Sequence, residues 1–166
     1  MPRLYGPDVR GLPLRVITIR AEAPRQPDVL ALMGRADDYA LTLYPAENYY
    51  SLDVAELERP GVSLLAARDG GALAGIVALV DNGDTTAEIK RMFVAETHRG
   101  RGVAGALLAR LEEVAAEASV TLVRLETGHP QRDAIALYEK HGYTRIAAFG
   151  PYVDDPTSLC MEKRLP

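Results

Sequence analysis

The sequence predicts a mixed α/β fold of the α+β kind: one central, mostly antiparallel sheet of six or seven strands, flanked by about four helices. Three observations predict it. Segments alternating with a period of two are interleaved with segments of helical period. Turn signals of the Asp-Gly and Asn-Gly type separate three consecutive strands in the middle of the chain. The length of 166 residues suits one domain around one core.

The elements follow in order. Residues 1–13 hold Gly6, Gly11, Pro2, Pro7 and Pro13 and are expected to form a loose arm ahead of a single domain over residues 14–166. Residues 14–20 alternate as a strand. A helix is expected over 28–41, with Leu30, Met33 and Asp37 about one turn apart, and a short helix over 53–58 stops before Pro60. Strands are expected over 62–68, 74–80 and 88–94, with turns at Asp69-Gly70-Gly71 and Asp81-Asn82-Gly83-Asp84. Val103, Leu107, Leu111, Val114 and Ala118 then mark a strong amphipathic helix. A strand over 121–125 follows, then a helix over 132–141 that Gly142 ends, and closing strands over 143–146 and 158–163.

Composition narrows the function classes. Hydrophobic residues make up 48% and charged residues 25%, as in a globular protein. The net charge of -4 argues against a nucleic-acid footprint, which needs clustered excess Lys and Arg. No apolar run approaches the roughly 20 residues of a membrane helix, and the first residues lack a secretory pattern. The single cysteine, Cys160, has no internal disulfide partner, so a cytoplasmic location is expected, with Cys160 a small buried residue. No His/Cys cluster has metal-ligand spacing, so no metal is expected.

The chemistry begins at Arg99-Gly100-Arg101-Gly102-Val103-Ala104-Gly105, between a strand and a helix. Glycines let backbone N–H groups approach an anion, and the helix start adds unpaired donors and the positive end of its dipole. Arg99 and Arg101 add mobile charge, so the segment suits phosphate or pyrophosphate. The plain alternative is a tight turn with two solvated arginines. Gly100, Gly102 and Gly105 also spell GxGxxG, with Glu126 near the end of the next strand, which keeps a dinucleotide-binding oxidoreductase open. Against it stand residues 95–99 between strand and first glycine, the polar Glu88, Lys90 and Arg91 in that strand, and too short a remainder after Gly100 for a doubly wound sheet.

In these residues the chain resembles the GNAT acetyltransferase superfamily. Arg99, Gly102 and Ala104 match that family's acyl-CoA motif of Arg or Gln, two residues, Gly, one residue, then Gly or Ala. The stretch from Ala87 to Val94 is similar to its fourth strand, and the stretch from Ala134 to Tyr143 to its last helix and following strand. The resemblance implies a V-shaped splay between the fourth and fifth strands that takes the pantetheine arm. It also implies acetyl-CoA as co-substrate and a small-molecule or peptide amine as acceptor; a homodimer is compatible with it. Met92, Phe93, Val94, Arg99, Gly100, Arg101, Gly102, Val103 and Ala104 are the implied cofactor-binding residues.

Tyr138 matches the family's tyrosine in the last helix and is the candidate acid, since a phenol is protonated at neutral pH and can protonate a leaving thiolate. Without the resemblance it reads as a core aromatic beside Ile135. Glu88 is the candidate base, matching a catalytic carboxylate of some members. Strand parity places it on the face of Met92 and Val94, at a backbone span of about 13 Å from Met92 that calls for bridging water. A surface pair with Lys90 or Arg91 is its alternative, and Glu126 and Glu47 are its rivals. Tyr44, Glu47, Glu126, Phe149 and Tyr152 are expected around the acceptor, with Tyr49 and Tyr50 beside them. A non-catalytic acyl-CoA-binding domain remains the second alternative.

Overall fold

The computed structural model describes residues 16–166, so the expected arm lies outside the described residues. The strands are β1 (Ile17–Ala21), β2 (Val62–Asp69), β3 (Ala72–Asp81), β4 (Thr86–Val94), β5 (Leu122–Gly128), β6 (Thr144–Ile146) and β7 (Ser158–Arg164). The helices are α1 (Pro27–Leu43), α2 (Val54–Leu57), α3 (Val103–Glu117) and α4 (Arg132–Lys140). The seven strands form one sheet in the order β1-β2-β3-β4-β5-β7-β6. All neighbouring pairs are antiparallel except β4 and β5.

Local chemistry accounts for the helices. Pro27 opens α1 where its missing N–H costs nothing, and Val29, Leu32, Met33, Ala36 and Ala40 form its buried stripe. Asp53 and Glu56 cap α2 reciprocally, each side chain accepting from the other's backbone N–H at 2.8 Å. In α3, Val103, Leu107, Leu108, Leu111 and Ala115 are buried, each large side chain contributing about 1.5–3 kcal/mol on leaving water.

The sheet separates two apolar layers. On one face α3 and α4 pack with Val77, Leu79, Ile89, Val123, Leu125 and Met161. On the other, α1 and α2 pack over Leu64, Ile76 and Ala78.

Two irregularities of β4 create the site. Its parallel ladder with β5 runs only from Thr86↔Leu122 to Ile89↔Leu125. Beyond Ile89 the two strands part, giving the expected splay. The antiparallel register with β3 then slips, from Ala78↔Lys90 to Ile76↔Phe93. This β-bulge centres on Arg91, whose φ of 56° is left-handed.

The bulge corrects one sequence expectation. Simple alternation put Glu88 on the face of Met92 and Val94. One extra residue in the strand inverts parity past Arg91. Met92 and Val94 therefore pack with Ile89 in the α3 layer, while Phe93 joins the α1 layer. Glu88 and Lys90 lie on the opposite face from Met92.

Candidate active site

The opened strands frame a cavity of about 580 Å³. Lys90, Arg91, Met92, Phe93 and Val94 of β4 line one side and Glu126, Thr127 and Gly128 of β5 the other. Tyr44, Tyr49 and Tyr50, from the segment after α1, cover one part, while Ala104 of α3 and Tyr138 of α4 reach another.

The glycine turn sits where the sequence placed it. Gly100 and Gly102 have φ of 73° and 77°, a conformation open to glycine at little cost. Gly102 is the N-cap of α3 and brings no side chain to satisfy the first-turn N–H groups, which are left for an anion. Among the described residues, a Cβ at either glycine would meet no protein atom within 4 Å, so none of them fills the space above the turn. Arg99 lies over the Phe93 ring at 5.5 Å and its Nε donates to the Val94 carbonyl at 3.4 Å, joining the turn to the end of β4. Arg101 lies 3.6 Å from the buried Asp69 carboxylate, which also meets His98 Nε2 at 3.1 Å. Val103 buries its side chain in the core and offers only backbone to the turn.

Tyr138 reaches the cavity from α4 while its ring is buried, edge-on to Tyr143 at 5.7 Å between centroids. Burial pushes its phenol well above the ordinary range, so it is a proton carrier at any working pH. Among the described residues its hydroxyl has no hydrogen-bond partner.

The two candidate carboxylates separate. Glu126 lines the cavity; burial raises its pKa, opposed by the Ser158 hydroxyl, which donates to it at 2.9 Å. Glu88 does not line the cavity. It accepts from the Tyr152 hydroxyl at 2.5 Å and lies 3.4 Å from Lys90 Nζ. The sequence alternative of a pair with Lys90 is therefore present in the structure, alongside a partner that spacing did not suggest.

The acceptor-side residues also divide. Tyr44 lines the cavity, buried against Gly128, and burial raises its phenol to about 12. Glu47 is exposed on a 3₁₀ turn (Ala46–Asn48) and is absent from the cavity wall. Phe149 and Tyr152 stand behind the wall rather than in it: Tyr152 is fully buried and meets Phe149 and Tyr50 edge-on at 5.3 and 5.0 Å. Cys160 is buried as expected, and burial raises its thiol pKa. Among the described residues, no group of three or more His, Cys, Asp and Glu is placed to hold a metal ion.

Sequence reasoning missed Gly128, Asp37 and Asp155. Gly128 carries a signal, a glycine at a strand end before His129-Pro130. Asp37 pairs with Arg91 at 2.5 Å, a contact across 54 residues that no local pattern reports.

Comparison with known proteins agrees with this architecture. The acetyltransferase (GNAT) family model matches residues 30–143. A protein of Azospirillum brasilense named IAA acetyltransferase is 42% identical over 150 residues, covering 90% of this chain and 98% of its own length. The crystal structure of an acyl-CoA N-acyltransferase from Klebsiella pneumoniae superposes with a TM-score of 0.77 at 36% identity, over 91% of this chain and 99% of that one. A GNAT acetyltransferase from Elizabethkingia anophelis, solved with acetyl-CoA bound, shares the fold with a TM-score of 0.65 at 19% identity, over 90% of this chain and 98% of that one.

Proposed function

The chain belongs to the GNAT acetyltransferase family and is an N-acetyltransferase; from that premise we propose that it acetylates a primary amine by direct attack in a ternary complex, with Glu126 as base and Tyr138 as acid. The observation that carries this reading is one cavity running from the glycine turn to a desolvated carboxylate, with a buried phenol on its wall.

The residues present fit acetyl-CoA. The uncapped first turn of α3, with Arg99 and Arg101 beside it, suits the pyrophosphate. Beyond Ile89 the side of β4 that faced β5 has no ladder partner, so its backbone groups are free to hold an amide-bearing arm. Acetyl-CoA supplies an acyl group activated as a thioester. Glu126 then takes the proton that an incoming ammonium must lose, and Tyr138 returns one to the departing sulfur. Met92, Phe93 and Val94 position the carbonyl through the backbone of the splayed strand. Gly100, Arg101, Gly102 and Val103 act through the turn, and Ala104 through its place on the wall.

We assign residues 14–166 to a single catalytic domain and place the protein in the cytoplasm, in keeping with its lone buried cysteine. Among the described residues no helix is long and apolar enough to cross a membrane. The acceptor is a small molecule or a peptide amine. IAA, from the name of the Azospirillum brasilense relative, belongs in the test panel.

The test is release of free CoA from acetyl-CoA by purified protein against a panel of amines, with the acetylated product identified by mass. Turnover of at least one amine is expected. Acetyl-CoA binding without turnover of any acceptor would favour the non-catalytic acyl-CoA-binding alternative.

A further inference from the structure

We propose that the acceptor is a primary ammonium that carries no carboxylate, an arylalkylamine or polyamine rather than an α-amino acid; this rests on the acetyltransferase reading above. The charges at the acceptor end decide this. Lys90 and Arg91 are the cations that β4 contributes to the cavity wall. Lys90 has three N–H groups and three partners: the Tyr152 hydroxyl, the Tyr50 carbonyl at 3.3 Å and the Glu88 carboxylate at 3.4 Å. Arg91 donates through Nε to the Leu52 carbonyl at 2.7 Å and through Nη1 to Asp37 at 2.5 Å. Its side chain is 5% exposed. Each cation is therefore neutralised by an acid of its own.

The acids left over are not neutralised in this way. Among the described residues, Glu126 faces the cavity with one hydroxyl donor and no salt bridge. Asp155, close behind, accepts through Oδ1 from the Thr157 hydroxyl at 2.6 Å and N–H at 2.8 Å, which keep it ionised. Tyr44, Tyr49 and Tyr50 add ring surface over the same end. Arg99 and Arg132, the other cations of the wall, belong to the glycine turn and the first residue of α4. An ammonium entering here meets a carboxylate and aromatic rings. A carboxylate entering beside it meets Glu126 and two β4 cations whose charges Glu88 and Asp37 already balance, and burying it unpaired is costly.

Glu88 thereby acquires a role distinct from that of a base. It cancels the charge of Lys90 and so keeps the acceptor end selective. If it were a base, its loss would slow all acceptors alike. As a neutralising group, its loss uncovers Lys90 and selectively helps acceptors that carry a carboxylate.

The experiment compares kcat/KM for matched pairs, phenethylamine with phenylalanine and cadaverine with lysine, in the wild type and in Glu88→Gln. Tyr152→Phe, which frees one Lys90 donor without changing ring size, serves as a second variant. The amine is expected to exceed its amino acid by about 100-fold or more in the better pair, and the ratio to shrink by about ten-fold in either variant. Equal or better use of the amino acids by the wild type overturns the proposal while leaving the acetyltransferase reading standing. So does acetylation of neither member of either pair by protein that turns over another acceptor. A ratio unmoved in both folded variants overturns the role of Glu88. Failure to bind acetyl-CoA at all would remove the acetyltransferase reading itself.

Discussion

The hydroxyl of Tyr44 lies directly over the α-carbon of Gly128: a Cβ built on that glycine would come within 1.7 Å of the Tyr44 oxygen. Tyr44 is the first residue past α1 and Gly128 the last of β5. The contact ties the segment covering the acceptor end to the strand that supplies Glu126. Among the described residues, the Tyr44 hydroxyl is buried without a hydrogen-bond partner.

Gly128→Ala is therefore expected to displace Tyr44 and lower stability by about 1–3 kcal/mol, the usual cost of overpacking. Tyr44→Phe keeps the ring and removes only an unpaired hydroxyl, so stability should hold or rise. Tyr44→Ala should recover part of the loss in Gly128→Ala. Denaturant melts of the double-mutant cycle check this; additive effects would show that the two residues do not interact.

Tyr138→Phe separates packing from proton donation. The ring and its edge contact with Tyr143 are retained, so thermal stability and acetyl-CoA affinity should hold. If the phenol protonates the leaving thiolate, kcat falls by roughly 10²–10⁴-fold. An unchanged kcat on a substrate validated in the wild type would remove Tyr138 from the mechanism.

Gly102 tests the turn. Its φ of 77° disfavours any side chain, and a carboxylate there would stand where the pyrophosphate is expected. Gly102→Asp should abolish acetyl-CoA binding in calorimetry. Gly102→Ala should weaken it, with a stability cost of about 1 kcal/mol for the left-handed backbone.

Most of the fold was legible because it rests on local signals. The stripe of Val103, Leu107 and Leu111, the Asp-Gly and Asn-Gly turns and the glycines at the start of α3 each announce themselves within a few residues. What failed was everything that depends on the bulge at Arg91. A left-handed arginine inside a strand has no sequence signature. The parity that placed Glu88 with Met92 was sound alternation applied across an unseen extra residue. Glu126 lines the cavity from β5, across the splay from that bulge. The contacts of Glu88 with Tyr152 and of Arg91 with Asp37 bridge 64 and 54 residues, and only the folded sheet brings them together.

The last prediction concerns the acid limb of the rate. Glu126 is drawn from water into the cavity wall, and burial is the largest influence on it, raising its pKa; Lys90 and the Ser158 hydroxyl oppose the rise without cancelling it. A base must be ionised to act, so kcat/KM should fall as pH drops through this raised pKa, above the range of an ordinary carboxylate. Glu126→Gln should lower kcat/KM at neutral pH and abolish that limb. Activity should then recover only toward high pH, where the amine is deprotonated in solution. The sign for stability runs the other way. Between the ordinary and the raised pKa the folded protein binds more protons than the unfolded chain, so ionised Glu126 weakens folding as pH rises through that window. Glu126→Gln should therefore be at least as stable as the wild type at neutral pH while being slower. Glu88→Gln should instead keep the acid limb, because its carboxylate faces Tyr152 and Lys90. If the limb survives in Glu126→Gln and disappears in Glu88→Gln, the proton is taken through the Glu88–Tyr152 pair, and Glu126 serves only to bind the ammonium.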